Sequence, residues 1–442
     1  MSEAASASGN IDIVDAECVV TVHDSGTSRR GAGQGEMNTI SNASVIIRDG
    51  VIRAIGPTAT VMTAETLAEW GAADVTIDAS GKTVLPGLID CHSHPLFGGH
   101  RHDEYAERLG GASLAEVAAR GGGIWSSVVA TRDADDDTLL YRLNEALHRM
   151  LRGGVTCAEV KSGYGLTVDS ELHQLDLLQR ARKTSPIELV ISFLGAHVVP
   201  RDIVPPTDIS AADAYSDLVA GEMTERVVAQ GIAQFQDVTV EDGLFTPEQA
   251  QRIIARSHAF GLRTRVHADA WKPSLGWRTA CAAGAISADH LTYTDDTEID
   301  AVGATDTVAV VLPVAELIYM TDRRANARRL IDSGVPLAIS TDYCSSIHAT
   351  SLLSTMTMAA PWFRISPAEA VVGATLNAAY SLGVQAERGS LDVGKRGDLL
   401  LLDCPHPNEL FLGLADEMLA AVVVDGVVRH VANGAASGTI SA

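Results

Sequence analysis

Residues 85–101 read LPGLIDCHSHPLFGGHR: an apolar run ends in two histidines one residue apart, His92 and His94, and the stretch closes on Gly98, Gly99, His100 and Arg101. Side chains alternate from face to face along an extended chain, so an H-x-H pair at the end of a strand turns both imidazoles the same way. That is the geometry of a shared metal ion. By itself the pair is a weak signal, because histidines also end strands without ligating anything. Its reading depends on what the other strands of the chain bring to the same place.

From about residue 84 to 385 the sequence repeats one unit: a short apolar strand, a polar or Gly-containing loop, then a helical pattern. Eight such strands are expected: VLPGLIDCH, VTCAEVKS, IELVISFLGAH, AQFQDVTVE, RTRVHAD, AISADHL, VAVVLP and PLAISTD. Between them lie helical segments such as LLYRLNEALHRMLRGG, ELHQLDLLQRARK and PEQAQRIIARSHAFG. Eight βα units are the count of a (β/α)8 TIM barrel, an α/β fold whose chemistry sits at the C-terminal ends of the strands. Those ends carry His92 and His94, Lys161, His197, Glu241, His267 and Asp269, His290, and Asp342. A buried histidine or aspartate there costs desolvation unless it has a partner or a task. With His92 and His94, three further candidates, His267, His290 and Asp342, converge on one mouth, and three neutral histidines with a carboxylate suit one divalent ion, zinc or iron(II), with a position left open for water.

On either side the rhythm changes. Residues 1–83 hold short alternating strands, Ile11–Val14, Cys18–Val22 and ASVIIRDGVIRAIG with Asp49-Gly50 as a two-residue hairpin turn. Residues 386–442 repeat that signature in GDLLLLD and MLAAVVVDGVVRHV, with Asp425-Gly426 as the turn. The expected organisation is a small β-sandwich domain built from both termini (1–83 and 386–442) around a barrel at 84–385.

Lys+Arg total 33 against 56 Asp+Glu, a formal charge of -23. Such a surface repels nucleic acid and anionic membranes. No apolar run is long enough to span a bilayer, and the N-terminus lacks a basic start followed by an apolar stretch. The six cysteines form no C-x-x-C pair, which fits a reducing, cytoplasmic setting better than a disulfide framework. A small anionic substrate would need local positive charge, so single arginines near the site matter more than the total.

Other readings of these residues were weighed. His290 read blandly is a capping histidine, and Asp342 an N-cap before the loop Tyr343–His348; read as chemistry, Asp342 takes the proton of a metal-activated water and hands it to a leaving nitrogen, with His290 beside it. Lys161 raises the question of a carbamylated lysine between two metals, but it ends strand two, whereas strand four has no lysine. The run RGGGIW at 120–125 lacks a following G-K-[ST] and does not clearly open a helix, so a mobile loop over the barrel mouth is expected rather than a phosphate cradle.

LPGLIDCHSH, HAD, SADH and STD between two β-rich ends resemble the amidohydrolase superfamily. More narrowly, FGGHR, GGGI, EVKSGYGL, FLGAHVVP and ISADHL resemble the imidazolonepropionase family over nearly the whole chain. The resemblance implies metal ligation by His92, His94, His267 and Asp342, with His290 beside the water. It implies substrate contacts from Arg101, Tyr164 and His197, a homodimer, and hydrolysis of the ring lactam of 4-imidazolone-5-propanoate. A guanidinium at Arg101 suits a propanoate, which it can grip through two parallel hydrogen bonds.

Three positions depart from the family pattern. Ala270 stands where Glu or Gln usually contacts the ring, Leu114 where a tyrosine usually follows the serine, and Cys344 where an asparagine follows the last-strand aspartate. Losing a polar ring contact alters discrimination, so an N-methyl or 2-thio ring is one expectation, and the plain ring, with Trp271 or His348 compensating, is another. An aminohydrolase on the same mononuclear site is a further enzyme reading, and a metal-free binding protein that keeps the barrel is a non-catalytic one.

Overall fold

The computed structural model describes residues 9–432 and 440–441, apart from the side chains of Leu114, Ile440 and Ser441. Two compact units are distinguished, one from Met1–Asp90, His148–Cys157 and Ser351–Ala442, the other from Cys91–Leu147 and Ala158–Thr350. No helix of the described residues is long and apolar enough to cross a membrane.

In the first unit nine strands form one hydrogen-bonded network. Its centre is Ile11–Val20, expected as two strands and found as one of ten residues, broken by a bulge between Ile13 and Ala16 where Asp15 takes φ 57°. This strand pairs with Thr39–Arg48 on one side; on the other, its first half takes Val75–Asp78 and its second half Thr83–Pro86. The small β domain expected from the termini forms, as one hydrogen-bonded strand network that forks at this bulge. Both aspartate-glycine turns form as read, with positive φ at Asp49, Gly50, Asp425 and Gly426. The two turns also meet: a Cβ on Gly50 would lie 2.7 Å from the Asp425 carbonyl oxygen. Strands from the two ends of the sequence share one core, in which Ile13, Val45 and Ile77 bury against Leu399, Leu401 and Val423.

A second sheet has eight strands in strict sequence order: Leu88–Asp90, Val155–Lys161, Glu188–Ala196, Phe235–Val240, Arg263–Ala268, Ser287–His290, Val308–Val311 and Leu337–Ile339. The pairs from the third strand onward are parallel. Each lies within one of the eight segments read from sequence. The three helical segments form as Asp136–Arg152, Val168–Arg182 and Pro247–Ala259, the last opened by a capping box of Thr246 and Gln249 with Pro247 in its first turn.

The ring closes where the site begins. Asp342 donates its backbone N–H to the His92 carbonyl (3.1 Å) and His94 donates to the Tyr343 carbonyl (2.7 Å). On the other flank, Lys161 donates to the Ser93 carbonyl (3.2 Å). The segment carrying both histidines is thus stitched to the ends of the second and eighth strands, and its backbone has little freedom.

Candidate active site

The ring nitrogens of the candidate ligands converge. His94 Nε2 lies 3.3 Å from His92 Nε2 and 3.3 Å from His267 Nε2, and Asp342 Oδ1 lies 3.6 Å and 3.7 Å from the Nε2 atoms of His92 and His94. His290 joins through His92 and His267, giving two overlapping groups of potential ligand atoms. All five side chains are buried. Burial and neighbouring cations hold His92 well below the usual histidine range, and burial with neighbouring histidines does the same for His94 and His290.

Whether these residues fit a cation is decided by their outer nitrogens. His92 Nδ1 donates to Asp289 Oδ2 at 2.7 Å, and His267 Nδ1 donates to Asp237 Oδ1 at 3.1 Å. With the proton fixed on Nδ1, each Nε2 presents a lone pair inward. His94 Nε2 lies 3.3 Å from both, and its own Nδ1 is buried without a hydrogen-bond partner, so three ring nitrogens and the Asp342 carboxylate converge in a dry interior where a divalent cation would be favourable. A carboxylate behind a histidine is the usual support of such a ligand. The residues fit a metal.

Backbone geometry aims part of the set. His290 and Asp342 hold φ 81° and 55°, the left-handed region that β-branched residues avoid and His and Asp tolerate. No helix of the described residues opens at Asp342, and His290 lines the inner pocket. Asp269, also at φ 54°, instead turns away to accept the N–H groups of Ser274, Gly276 and Trp277 and the hydroxyl of Thr294. Glu241 anchors the same loop, accepting from the backbones of Ala270 (2.6 Å), Trp271 (3.2 Å) and Lys272 (2.9 Å). Its burial pushes the carboxyl up to about 7.

Arg101, Tyr164 and His197 reach the same inner pocket. Gly98 makes this possible for Arg101: a Cβ there would strike the Ala130 carbonyl oxygen at 2.0 Å, so only glycine lets the loop lie against helix Ile124–Asp133. The Arg101 side chain is 9 % exposed and commits Nε to Glu104 Oε2 at 3.0 Å. His197 Nδ1 donates to the Gly163 carbonyl (3.0 Å) and its ring stacks on His94, centroids 5.2 Å apart. Burial beside His267 lowers its pKa to about 3, so it stays neutral. Burial raises the Tyr164 hydroxyl well above the tyrosine range, keeping it a donor.

RGGGIW is corrected by the structure. Gly123, at φ 75°, opens helix Ile124–Asp133, and Glu104 fills the place an anion would take, accepting from the Gly123 N–H (3.1 Å) and the Ser126 hydroxyl (2.8 Å). Ile124 lines the inner pocket and Trp125 an outer chamber of about 620 Å³ that opens from it. Ala270 and Cys344 both line the inner pocket, while the Leu114 side chain lies outside the described residues. Tyr319, not singled out from sequence, joins them from the segment after the seventh strand, its hydroxyl 3.0 Å from Ser346 Oγ.

The match to known proteins agrees with this geometry. A model of the amidohydrolase family matches residues 83–429. The chain belongs to the amidohydrolase family. Within it, the imidazolonepropionase of Geobacillus kaustophilus is 41% identical over 375 residues, covering 84% of this chain and 86% of that protein. The imidazolonepropionase of Symbiobacterium thermophilum is 39% identical over 428 residues, covering 95% and 98%. That places the chain on the imidazolonepropionase branch. Among solved structures, an adenosine deaminase from Xanthomonas campestris with bound zinc superposes at TM-score 0.70 with 19% identity, over 96% of this chain and 93% of that one. An ochratoxinase from A. niger superposes at TM-score 0.67 with 17% identity, over 97% and 98%. At such identities the likeness is one of fold, and it lends the deaminase reading no support.

Proposed function

We propose that this chain is a hydrolase of the imidazolonepropionase type, opening the ring lactam C–N bond of 4-imidazolone-5-propanoate, or of an N-methyl or 2-thio analogue, at one divalent ion, zinc or iron(II). The plain ring gives N-formimino-L-glutamate. The observation that carries the reading is the meeting, in one buried pocket, of the His92/His94/His267/Asp342 cluster with the Arg101 guanidinium. An amidohydrolase site and a grip for an acid side chain are thereby combined, on a chain about 40% identical to imidazolonepropionases.

A divalent ion held by the cluster lowers the pKa of water and polarises a carbonyl oxygen. The chain's own residues do the rest. Asp342 accepts the water proton and delivers it to the departing ring nitrogen, and neutral His290 donates a hydrogen bond toward the carbonyl oxygen. Arg101 takes the propanoate in a charge-assisted pair, and Tyr164 donates its hydroxyl to the same carboxylate. His197, fixed by Gly163, presents Nε2 to a ring N–H.

The ring itself is read by a changed wall. Ala270 offers no polar group, and beside it the Trp271 indole Nε1 is buried without a hydrogen-bond partner. Ring opening followed by ultraviolet absorbance across plain, N-methyl and 2-thio imidazolone-propanoates tests the proposal. Hydrolysis of at least one of them is expected at zinc or iron saturation. Ammonia release from aminoheterocycles with no opening of any propanoate would replace it with the aminohydrolase reading.

A further inference from the structure

Lys161, in the EVKSGYGL stretch, takes no part in the chemistry above, yet it is 0% exposed, and so are Glu159, Asp237, Arg265 and Asp289. Burying five charges is unfavourable unless each is paired closely. Here they pair in a fixed sequence. Starting at one candidate ligand, His267 donates to Asp237 Oδ1 (3.1 Å), and Asp237 Oδ2 meets Lys161 Nζ (2.7 Å). Lys161 Nζ also meets Glu159 Oε2 (2.6 Å), and Glu159 Oε1 lies 3.1 Å from Arg265 Nε. Arg265 Nη2 reaches Asp289 Oδ2 (3.1 Å), which accepts from His92, the second ligand (2.7 Å). The arch alternates in sign from end to end.

Its residues come from the second, fourth, fifth and sixth strands, and the period of two explains the placement. Glu159 and Lys161 share one face of the second strand, and Arg265 and His267 share one face of the fifth. We propose that Lys161, with Glu159 and Arg265, is a positioning residue for the cation site: it holds the carboxylates that fix His267 and His92 in the tautomer whose Nε2 lone pairs face inward. The inference rests on the ligand assignment made above. Without the ammonium, Asp237 loses the partner that holds its carboxylate toward His267, and His267 loses the acceptor that fixes it. A purely electrostatic role makes the opposite forecast, because removing a buried positive charge near a divalent cation would tighten its binding.

The test is metal affinity of the full chain, measured with zinc by competition against a chromophoric chelator and with cobalt(II) by its visible absorption. For Lys161→Met the zinc dissociation constant is expected to rise about 10- to 100-fold, the range for loss of a group supporting a metal-bound histidine, with a shifted cobalt spectrum. Arg265→Gln also removes a buried positive charge, so the two forecasts again differ in sign; it is expected to weaken zinc binding and shift the cobalt spectrum as Lys161→Met does, and it carries the test if Lys161→Met fails to fold. Zinc binding tightened or within threefold of wild type in the folded variants, with an unchanged cobalt spectrum, overturns the inference. His267→Ala separates the two layers: if it leaves zinc binding intact, the ligand assignment fails, whereas if it abolishes binding while the arch variants do not alter it, only the arch fails.

Discussion

Arg101→Met separates substrate binding from scaffold. The side chain is 9 % exposed, and of its nitrogens Nε is committed to Glu104, so the outer fork is what a propanoate can engage. Each hydrogen bond to a charged group contributes about 1.5–3 kcal/mol. Two such bonds, less the cost of stripping water from both ions, leave about 3–4 kcal/mol, or roughly 100- to 1,000-fold at 1.4 kcal/mol per decade. Glu104 keeps its bonds from Gly123 and Ser126 in the variant, so helix Ile124–Asp133 stays capped. The assay compares kcat/KM for the propanoate and for its neutral amide, followed by ring absorbance. Arg101→Met is expected to lower kcat/KM for the acid by about 100- to 1,000-fold, mostly through KM, since the contact is made equally in ground and transition states. The amide should change less than about threefold. Equal losses on both substrates would refute the reasoning and make Arg101 a structural residue of the loop.

Three further variants probe the rest of the pocket. Asp342→Asn at saturating zinc should lower kcat by about 10²- to 10⁴-fold, the range for a lost proton carrier; retained kcat removes Asp342 from the proton path. Ala270→Gln restores a polar group toward the ring and should move the plain-to-substituted kcat/KM ratio toward the plain ring by about tenfold or more; an unchanged ratio means that this position does not read the ring. For Glu241, burial raises the folded-state pKa from 4.5 to about 7. The folded chain therefore holds a proton that the unfolded chain has released, and stability falls as pH rises from about 4.5 through 7, by at most about 3 kcal/mol. Glu241→Gln should flatten that fall in denaturant titrations across the window, and parallel wild-type and variant curves would exclude it.

Much of the barrel and the candidate ligands was legible because apolar strands that end in histidine or aspartate are expensive to build without purpose. His92, His94, His267 and Asp342 each end or follow such a strand, and the barrel topology brings their side chains together. What joins them was less legible. The arch residues carried a signal, since Glu159-x-Lys161 and Arg265-x-His267 place charges on one strand face, but a single sequence does not show that Lys161 reaches Asp237, 76 residues away. Tyr319 reads as the end of an ordinary short helix and gains its place only from the fold. RGGGIW misled because IWSSVVATRD is rich in β-branched residues, poor local helix formers, and packing against Gly98 overrides that propensity.

The acidity of the chain and the proposed grip of Arg101 on an anion act at different ranges, which reconciles them. A formal charge of -23 is spread over a surface where salt screens beyond about 8 Å. The Arg101 guanidinium sits out of water beside Tyr319 and Cys344, neither ionised: burial first, then Asp342, lifts the Cys344 thiol to about 11, and burial with Cys344 raises the Tyr319 hydroxyl beyond the usual tyrosine value. Had an asparagine stood at Cys344 it would have offered polar contacts of its own; the neutral thiol does not, and Ala270 removes another on the ring side. On the proposed reading, positive charge for the acid tail is concentrated in Arg101, while the pocket wall at Ala270 offers no polar side chain. If Arg101 holds the acid as proposed, that recognition is local, and recognition of the ring is where this chain has room to differ from its relatives.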